Sequence, residues 1–306
     1  MLKPSRSSLL TLPFLVLACA HVGIAADPEL TEGTLSVDGR ARKYLVWDAG
    51  KGAPVVLSLH GRAGTMAGQE KLASLLPIAR REKFTLVIPA GLHESWHDAR
   101  DYGPSAEEGV DDVKFISALI DELIARRGAD PKRVYVVGMS NGGFMALTLA
   151  CRLSEKLAGA AAITGQVAKK LELDCPMKKP LPIALFLGTE DPLVPFKGGM
   201  VARVRGETLG ARESAAFLAS KNGCTAEPTV AVLPDTDPAD CTKVSLTRYA
   251  GGQCQAPLNL YVIEGGGHTW PGGWQYAMER LIGKTSRDLN ASEVSWAFFA
   301  SNGELK

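Results

Sequence analysis

The chain has 306 residues, 46% of them hydrophobic and 22% charged, with a formal net charge of +1. That composition fits a globular protein with a sizeable core and excludes a low-complexity or disordered chain. The balanced charge gives no reason to expect nucleic acid or a strongly anionic polymer as a partner, and no internal repeat is visible.

Residues 1–26 stand apart from the rest. Lys3 and Arg6 make a basic start, Leu9–Ala18 is a short apolar core interrupted by Pro13, and small residues follow. The pattern reads as a secretory signal; a membrane span would need about 20 apolar residues. Cleavage after Ala26 and after Ala20 both suit the sequence. Val16-Leu17-Ala18-Cys19 also forms an imperfect lipoprotein box, so Cys19 is an alternative site of lipid attachment and the one route by which a membrane contact is expected. Residues 27–306 contain no linker and are expected to form a single catalytic domain, secreted to the periplasm or beyond.

Asp38-Gly39 separates two alternating runs, Thr34–Val37 and Ala41–Trp47, as in an antiparallel hairpin. Pro54–Leu59 is a buried strand that leads into the polar loop His60-Gly61-Arg62-Ala63-Gly64. A helix is predicted over 69–81, and a strand over Thr85–Pro89 that runs into the loop Ala90–Asp98. Asp111 and Asp112 open a helix whose apolar positions are Phe115, Ile116, Leu119, Ile120 and Leu123, and Arg126, Arg127 and Gly128 suit its end. Val134–Val137 reads as a central parallel strand, followed by Gly138-Met139-Ser140-Asn141-Gly142 and a helical pattern from Phe144 to Ala150. Further strands are expected at Ala158–Ile163, Pro182–Leu187, Thr229–Leu233, Lys243–Tyr249 and Leu258–Ile263, with helices over 211–221 and after the capping-box sequence Asn290–Glu293. Strands alternating with helices imply an α/β fold, a mainly parallel sheet covered on both faces.

A G-x-S-x-G between a buried strand and a helix is a nucleophile elbow: Ser140 sits on a strained turn, and a side chain at 138 or 142 would crowd the neighbouring strand and helix. A serine hydroxyl needs a base, and the base needs an acid to orient it. The histidines are His21, His60, His93, His97 and His268, and only His268 follows Ser140. Asp191, just past a strand end between the two, is the preferred acid over Glu190, Asp235 and Asp237. The backbone N–H groups of Asn141 and of Arg62 are the expected oxyanion donors. His60 is read as a structural hydrogen-bonding residue, and Trp96 and Trp270 as candidate walls of a substrate cleft. His93-x-x-x-His97 lacks a third ligand, and no dinucleotide or phosphate loop is present, so neither a metal nor a cofactor is expected. The short interval between Ser140 and Asp191 leaves no room for a large lid and predicts an open, shallow cleft.

Export would admit disulfides. Cys151, Cys175, Cys224, Cys241 and Cys254 are odd in number. Cys151 and Cys175 suit one another, and closing that loop would stabilise by about 3.5 kcal/mol in the chain-entropy model. For the others, Cys224 with Cys254 competes with Cys241 with Cys254.

The segments L-H-G at 59–61, D-D-V at 111–113, D-P-x-R-V-Y-V-x-G-M-S-N-G-G at 130–143, G-T-x-D-P-x-V-P at 188–195 and G-G-G-H-T-W-P-G-G at 265–273 resemble secreted α/β-hydrolase esterases. They are those of the polyhydroxybutyrate depolymerase and feruloyl esterase group, related to the first carbohydrate-esterase family. The resemblance spans about residues 30–300. It implies the α/β-hydrolase fold, with Ser140 as nucleophile, Asp191 as acid and His268 as base, and it favours the pairs Cys151–Cys175 and Cys224–Cys254 with Cys241 left over. Arg62, and His97-Asp98 after Trp96, depart from the family pattern beside the expected site, so substrate preference does not carry over. Polyester depolymerases usually carry a separate polymer-binding domain that this sequence does not show. The expected substrate is therefore a feruloyl or acetyl saccharide ester or a short hydroxyalkanoate oligoester. The alternatives are a polyhydroxybutyrate depolymerase and a non-catalytic saccharide-binding lipoprotein.

Overall fold

The computed structural model describes residues 29–304; the signal sequence read over 1–26 and Cys19 lie outside the described residues. In chain order the strands are β1 (Thr31–Val37), β2 (Arg40–Trp47), β3 (Val55–Leu59), β4 (Thr85–Pro89), β5 (Val134–Met139), β6 (Gly159–Ile163), β7 (Ile183–Gly188), β8 (Gly199–Met200), β9 (Glu207–Thr208), β10 (Thr229–Val232), β11 (Lys243–Tyr249) and β12 (Leu258–Glu264). The helices are α1 (Met66–Ala73), α2 (Leu75–Glu82), α3 (Pro104–Glu107), α4 (Asp112–Arg127), α5 (Asn141–Arg152), α6 (Lys169–Leu173), α7 (Ala211–Lys221), α8 (Glu279–Ile282) and α9 (Ala291–Ala300).

One ten-stranded sheet runs β1-β2-β4-β3-β5-β6-β7-β12-β11-β10, and β8 pairs with β9 apart from it. From β4 through β3, β5, β6 and β7 to β12 every pairing is parallel, and an antiparallel pair of strands closes each edge. Alternation along the strands feeds two cores. Val55, Leu57, Leu59, Val134 and Val136 face Phe115 and Leu119 of α4, Met145 and Leu149 of α5 and Leu218 of α7. Val56, Tyr135, Val137 and Phe186 face Leu76 of α2 and Trp296 and Phe299 of α9. Burial on both faces is why these central strands read as unbroken apolar runs. This is the α/β-hydrolase fold, with a mainly parallel central sheet.

The helix predicted over 69–81 is two helices. Ser74 adopts a left-handed conformation at φ 49°, caps α1 with its N–H on the Glu70 carbonyl, and starts α2. Pro77 gives the reason: in a continuous helix its ring would collide with the Ala73 carbonyl and it has no N–H to offer. The hairpin turn follows the reading, with Asp38 and Gly39 both at positive φ as a two-residue turn of this kind requires. Cys151 is bonded to Cys175 and Cys224 to Cys254, while Cys241 is a free, exposed thiol.

Candidate active site

Ser140 connects β5 to α5 at φ 54° and ψ −120°, a conformation that non-glycine residues avoid. The turn is held from both sides, because Ser140 N–H donates to the Ile163 carbonyl at 2.8 Å and the Ser140 carbonyl accepts from Phe144 N–H at 2.8 Å. A Cβ on Gly138 would be driven into the Gly142 carbonyl. One on Gly142 would meet the Leu59 carbonyl and would lie 2.6 Å from that of His60. Both glycines are thus required by close backbone approach.

The loop after β3 lies against this turn, since a Cβ on Gly61 would sit 3.5 Å from Ser140 Cβ. Asn141 is the first residue of α5, so its N–H has no carbonyl within the helix to receive it. Among the described residues no backbone carbonyl accepts from Arg62 N–H either. Asn141 thus follows Ser140 at a helix N-terminus, where the dipole favours negative charge, and Arg62 lines a pocket with both.

The Asn141 side chain anchors the turn to the loop that follows β4. Its Oδ1 accepts from Trp96 N–H at 2.7 Å, and its Nδ2 donates to the Trp96 carbonyl at 3.0 Å and to Asp98 Oδ2 at 2.7 Å. Asp98 is in turn paired with Arg100 at 2.5 Å, both side chains almost fully buried, and the Arg100 guanidinium lies 3.9 Å from the Phe144 ring centre.

At the same edge of the sheet, Asp191 follows β7 and His268 follows β12. His268 Nδ1 donates to Asp191 Oδ2 at 2.7 Å, and Asp191 Oδ1 accepts from Leu193 and Val194 N–H, each at 2.8 Å. With Nδ1 as donor, His268 Nε2 is left to accept a proton. Both side chains are shielded, 4% and 3% exposed. Glycines allow the histidine loop to turn back: Gly188 at the end of β7 has room for no Cβ beneath the Gly266 and Gly267 carbonyls, and Gly267 packs on Gly283. The loop is thereby folded across β7, in the direction of β5. Tyr276 donates to the His268 carbonyl at 2.8 Å; burial, and then the charge of Asp191, push its pKa well above the ordinary range, so it stays a neutral donor.

The structure brings Asp191 and His268 into contact, and Arg62 and Asn141 line a pocket together with Ser140. No hydrogen bond joins Ser140 Oγ to His268; catalytic hydrogen bonds often tighten only once substrate binds. Trp96 and Trp270 do not line a cleft, contrary to the expectation from sequence. Both are fully buried, the Trp96 indole N–H donating to the His60 carbonyl at 2.9 Å and that of Trp270 to Ser292 Oγ at 3.0 Å. Each nitrogen finds its partner inside the protein, which makes the two rings struts rather than walls.

The pocket beside Ser140 is instead bounded by Tyr102 and Arg205, by Arg62, and by Leu193, Val194 and Val201. The apolar wall comes from the excursion between Asp191 and α7, which carries β8 and β9. Sequence reasoning missed it because residues 192–210 show no periodic pattern.

His60 is buried, its Nδ1 bonded to the Gly61 carbonyl at 2.8 Å and its Nε2 accepting from Gly91 N–H at 2.9 Å. Burial lowers its pKa to about 4. In the unfolded chain the same ring takes up a proton near pH 6.5. Between those values the unfolded chain binds more protons, so stability is lost as pH falls from about 6.5 towards 4. Urea denaturation should show a loss of about 2 kcal/mol between pH 7 and pH 5 from this residue, and that share of the pH dependence should vanish in His60→Gln.

A parallel sheet that presents an elbow serine, a carboxylate–imidazole pair and free amides at one edge defines a hydrolase of the α/β class. Residues 66–216 match the family described as phospholipase/carboxylesterase. The chain is 27% identical over 288 residues to the putative esterase NocK of Nocardia uniformis subsp. tsuyamanensis, covering 89% of this chain and 83% of that protein. It is 30% identical over 224 residues to feruloyl esterase B of Piromyces equi, covering 71% of this chain and 40% of that protein. The fold is similar to that of the acetyl xylan esterase from Aspergillus awamori, with a TM-score of 0.56 at 15% identity over 78% of this chain and 94% of that one. The chain belongs to the α/β-hydrolase phospholipase/carboxylesterase family and is a serine-type carboxylesterase, a carboxylic ester hydrolase.

Proposed function

We propose that this carboxylesterase acts through an acyl-enzyme formed on Ser140, with His268 as base, Asp191 as its orienting acid and the Arg62 and Asn141 amides as oxyanion donors. The observation that carries the reading is the Asp191–His268 hydrogen bond at the strand-end edge that also holds the strained Ser140 turn. As Ser140 Oγ attacks the ester carbonyl carbon, its proton passes to His268 Nε2, and Asp191 holds the imidazolium that forms. The carbonyl oxygen takes the negative charge between the two amides. His268 then returns the proton to the departing alcohol oxygen, leaving the acyl group on Ser140. Water, deprotonated by the same nitrogen, repeats the sequence and releases the acid.

The substrate is a feruloyl or acetyl saccharide ester or a short hydroxyalkanoate oligoester, and residues 27–306 work as one exported domain. Two disulfides accord with an oxidising compartment, and the likeness to a feruloyl esterase accords with the substrate class. Methyl ferulate, acetylated xylan and 3-hydroxybutyrate oligomers, offered at equal ester concentration, test this. Turnover of at least one of them is the expected result. Clearing of a polyhydroxybutyrate suspension without ferulate release would replace it with a polymer depolymerase, and glycan binding without turnover would replace it with a binding role.

A further inference from the structure

The walls of the Ser140 pocket carry more positive charge than ester hydrolysis requires. Arg62, Arg100 and Arg205 all line it, together with Tyr102. The charge of Arg100 is spent on Asp98. Asp101, the neighbouring acid, is likewise committed, to Lys170 at 2.6 Å and His97 at 3.1 Å. Among the described residues no ion pair holds Arg62 or Arg205. The Arg62 guanidinium lies 5.1 Å from the Tyr102 ring centre, and Arg62, then Arg205, draw the Tyr102 phenol below its ordinary pKa. The whole chain carries a net charge of only +1, so this is a local concentration of cations rather than a basic surface. The apolar side chains of Leu193 and Val201 line the same pocket.

We propose that Arg62 and Arg205 select esters that carry a carboxylate a few atoms from the scissile carbonyl, the intervening chain lying along Leu193 and Val201. This rests on Ser140 being the site of ester attack. A guanidinium recognises a carboxylate through paired N–H donors, and of the two that line the pocket Arg205 is half-buried and Arg62 exposed. Among short hydroxyalkanoate oligoesters every molecule ends in such a group, whereas neutral feruloyl and acetyl esters have none.

Matched pairs of equal length test the assignment and separate the two halves of the substrate. Monomethyl adipate against methyl hexanoate places the carboxylate in the acyl part, and 4-acetoxybutyrate against butyl acetate places it in the alcohol part. In at least one pair the charged member should show kcat/KM about tenfold higher at low ionic strength, mainly through KM, and the ratio should shrink in 0.5 M NaCl. Within Arg205→Gln the charged-to-neutral ratio should fall at least about fivefold, and Arg205→Lys should restore part of it. Equal rates in both pairs, or a preference indifferent to salt and to Arg205→Gln, would overturn the assignment while leaving the esterase reading intact. Failure to hydrolyse all four esters, together with p-nitrophenyl acetate, would overturn the esterase reading itself and this assignment with it.

Discussion

Ser140→Ala is expected to lower kcat for p-nitrophenyl acetate by about 10⁴-fold or more, and to abolish the initial burst of p-nitrophenol that acyl-enzyme formation produces in the parent protein. His268→Ala should do nearly as much. The two losses should not add, because the hydroxyl and imidazole act as one unit: without the base the serine stays protonated, and without the serine the base has nothing to activate. Folding should be unaffected by Ser140→Ala, since the Ser140 turn is held through its backbone N–H and carbonyl rather than its hydroxyl. Thermal denaturation alongside the kinetics separates chemistry from stability. A Ser140→Ala protein retaining full turnover would remove the assigned nucleophile.

Asp98→Ala should destabilise the protein by about 3–5 kcal/mol, because it leaves the buried Arg100 guanidinium without a counter-charge. For a chain of this size that corresponds to roughly 5–9 °C in melting temperature. Asn141 Nδ2 also loses one of its two acceptors, which loosens the residue whose amide is a proposed oxyanion donor. Activity should therefore fall in the fraction that remains folded. Replacing both partners, Asp98→Leu with Arg100→Met, should recover a large part of the stability, because the cost lies in the orphaned charge rather than in the loss of the pair. Urea denaturation at pH 7 measures both variants. A loss below about 1 kcal/mol in Asp98→Ala would mean that Arg100 reaches water.

Legibility followed how local the determining physics was. The central strands were readable because burial on both faces forces continuous β-branched and apolar runs such as Val134–Val137. The Ser140 turn was readable because two close backbone approaches exclude a Cβ at 138 and 142. The order of serine, acid and histidine along the chain left His268 as the sole histidine after Ser140, and the contact with Asp191 follows from adjacent strand ends at β7 and β12. The break at Ser74 was hidden because the apolar spacing continues across it, although Pro77 carried the signal. Trp96 and Trp270 were misplaced because an indole flanked by loop residues looks the same in sequence whether its N–H faces a substrate or the His60 carbonyl. The excursion after Asp191 and the side of the pocket formed by Tyr102 and Arg205 depend on contacts between loops distant in the chain, which no periodicity encodes.

The central claim is that Ser140 and His268 act on the same carbonyl. A fluorophosphonate that forms a covalent bond with activated serines tests it directly, with the adduct mapped by peptide mass spectrometry. The account predicts one adduct, on Ser140, formed at least about 10³-fold more slowly in His268→Ala. An adduct on another residue, or labelling of Ser140 at an unchanged rate without the imidazole, would contradict it.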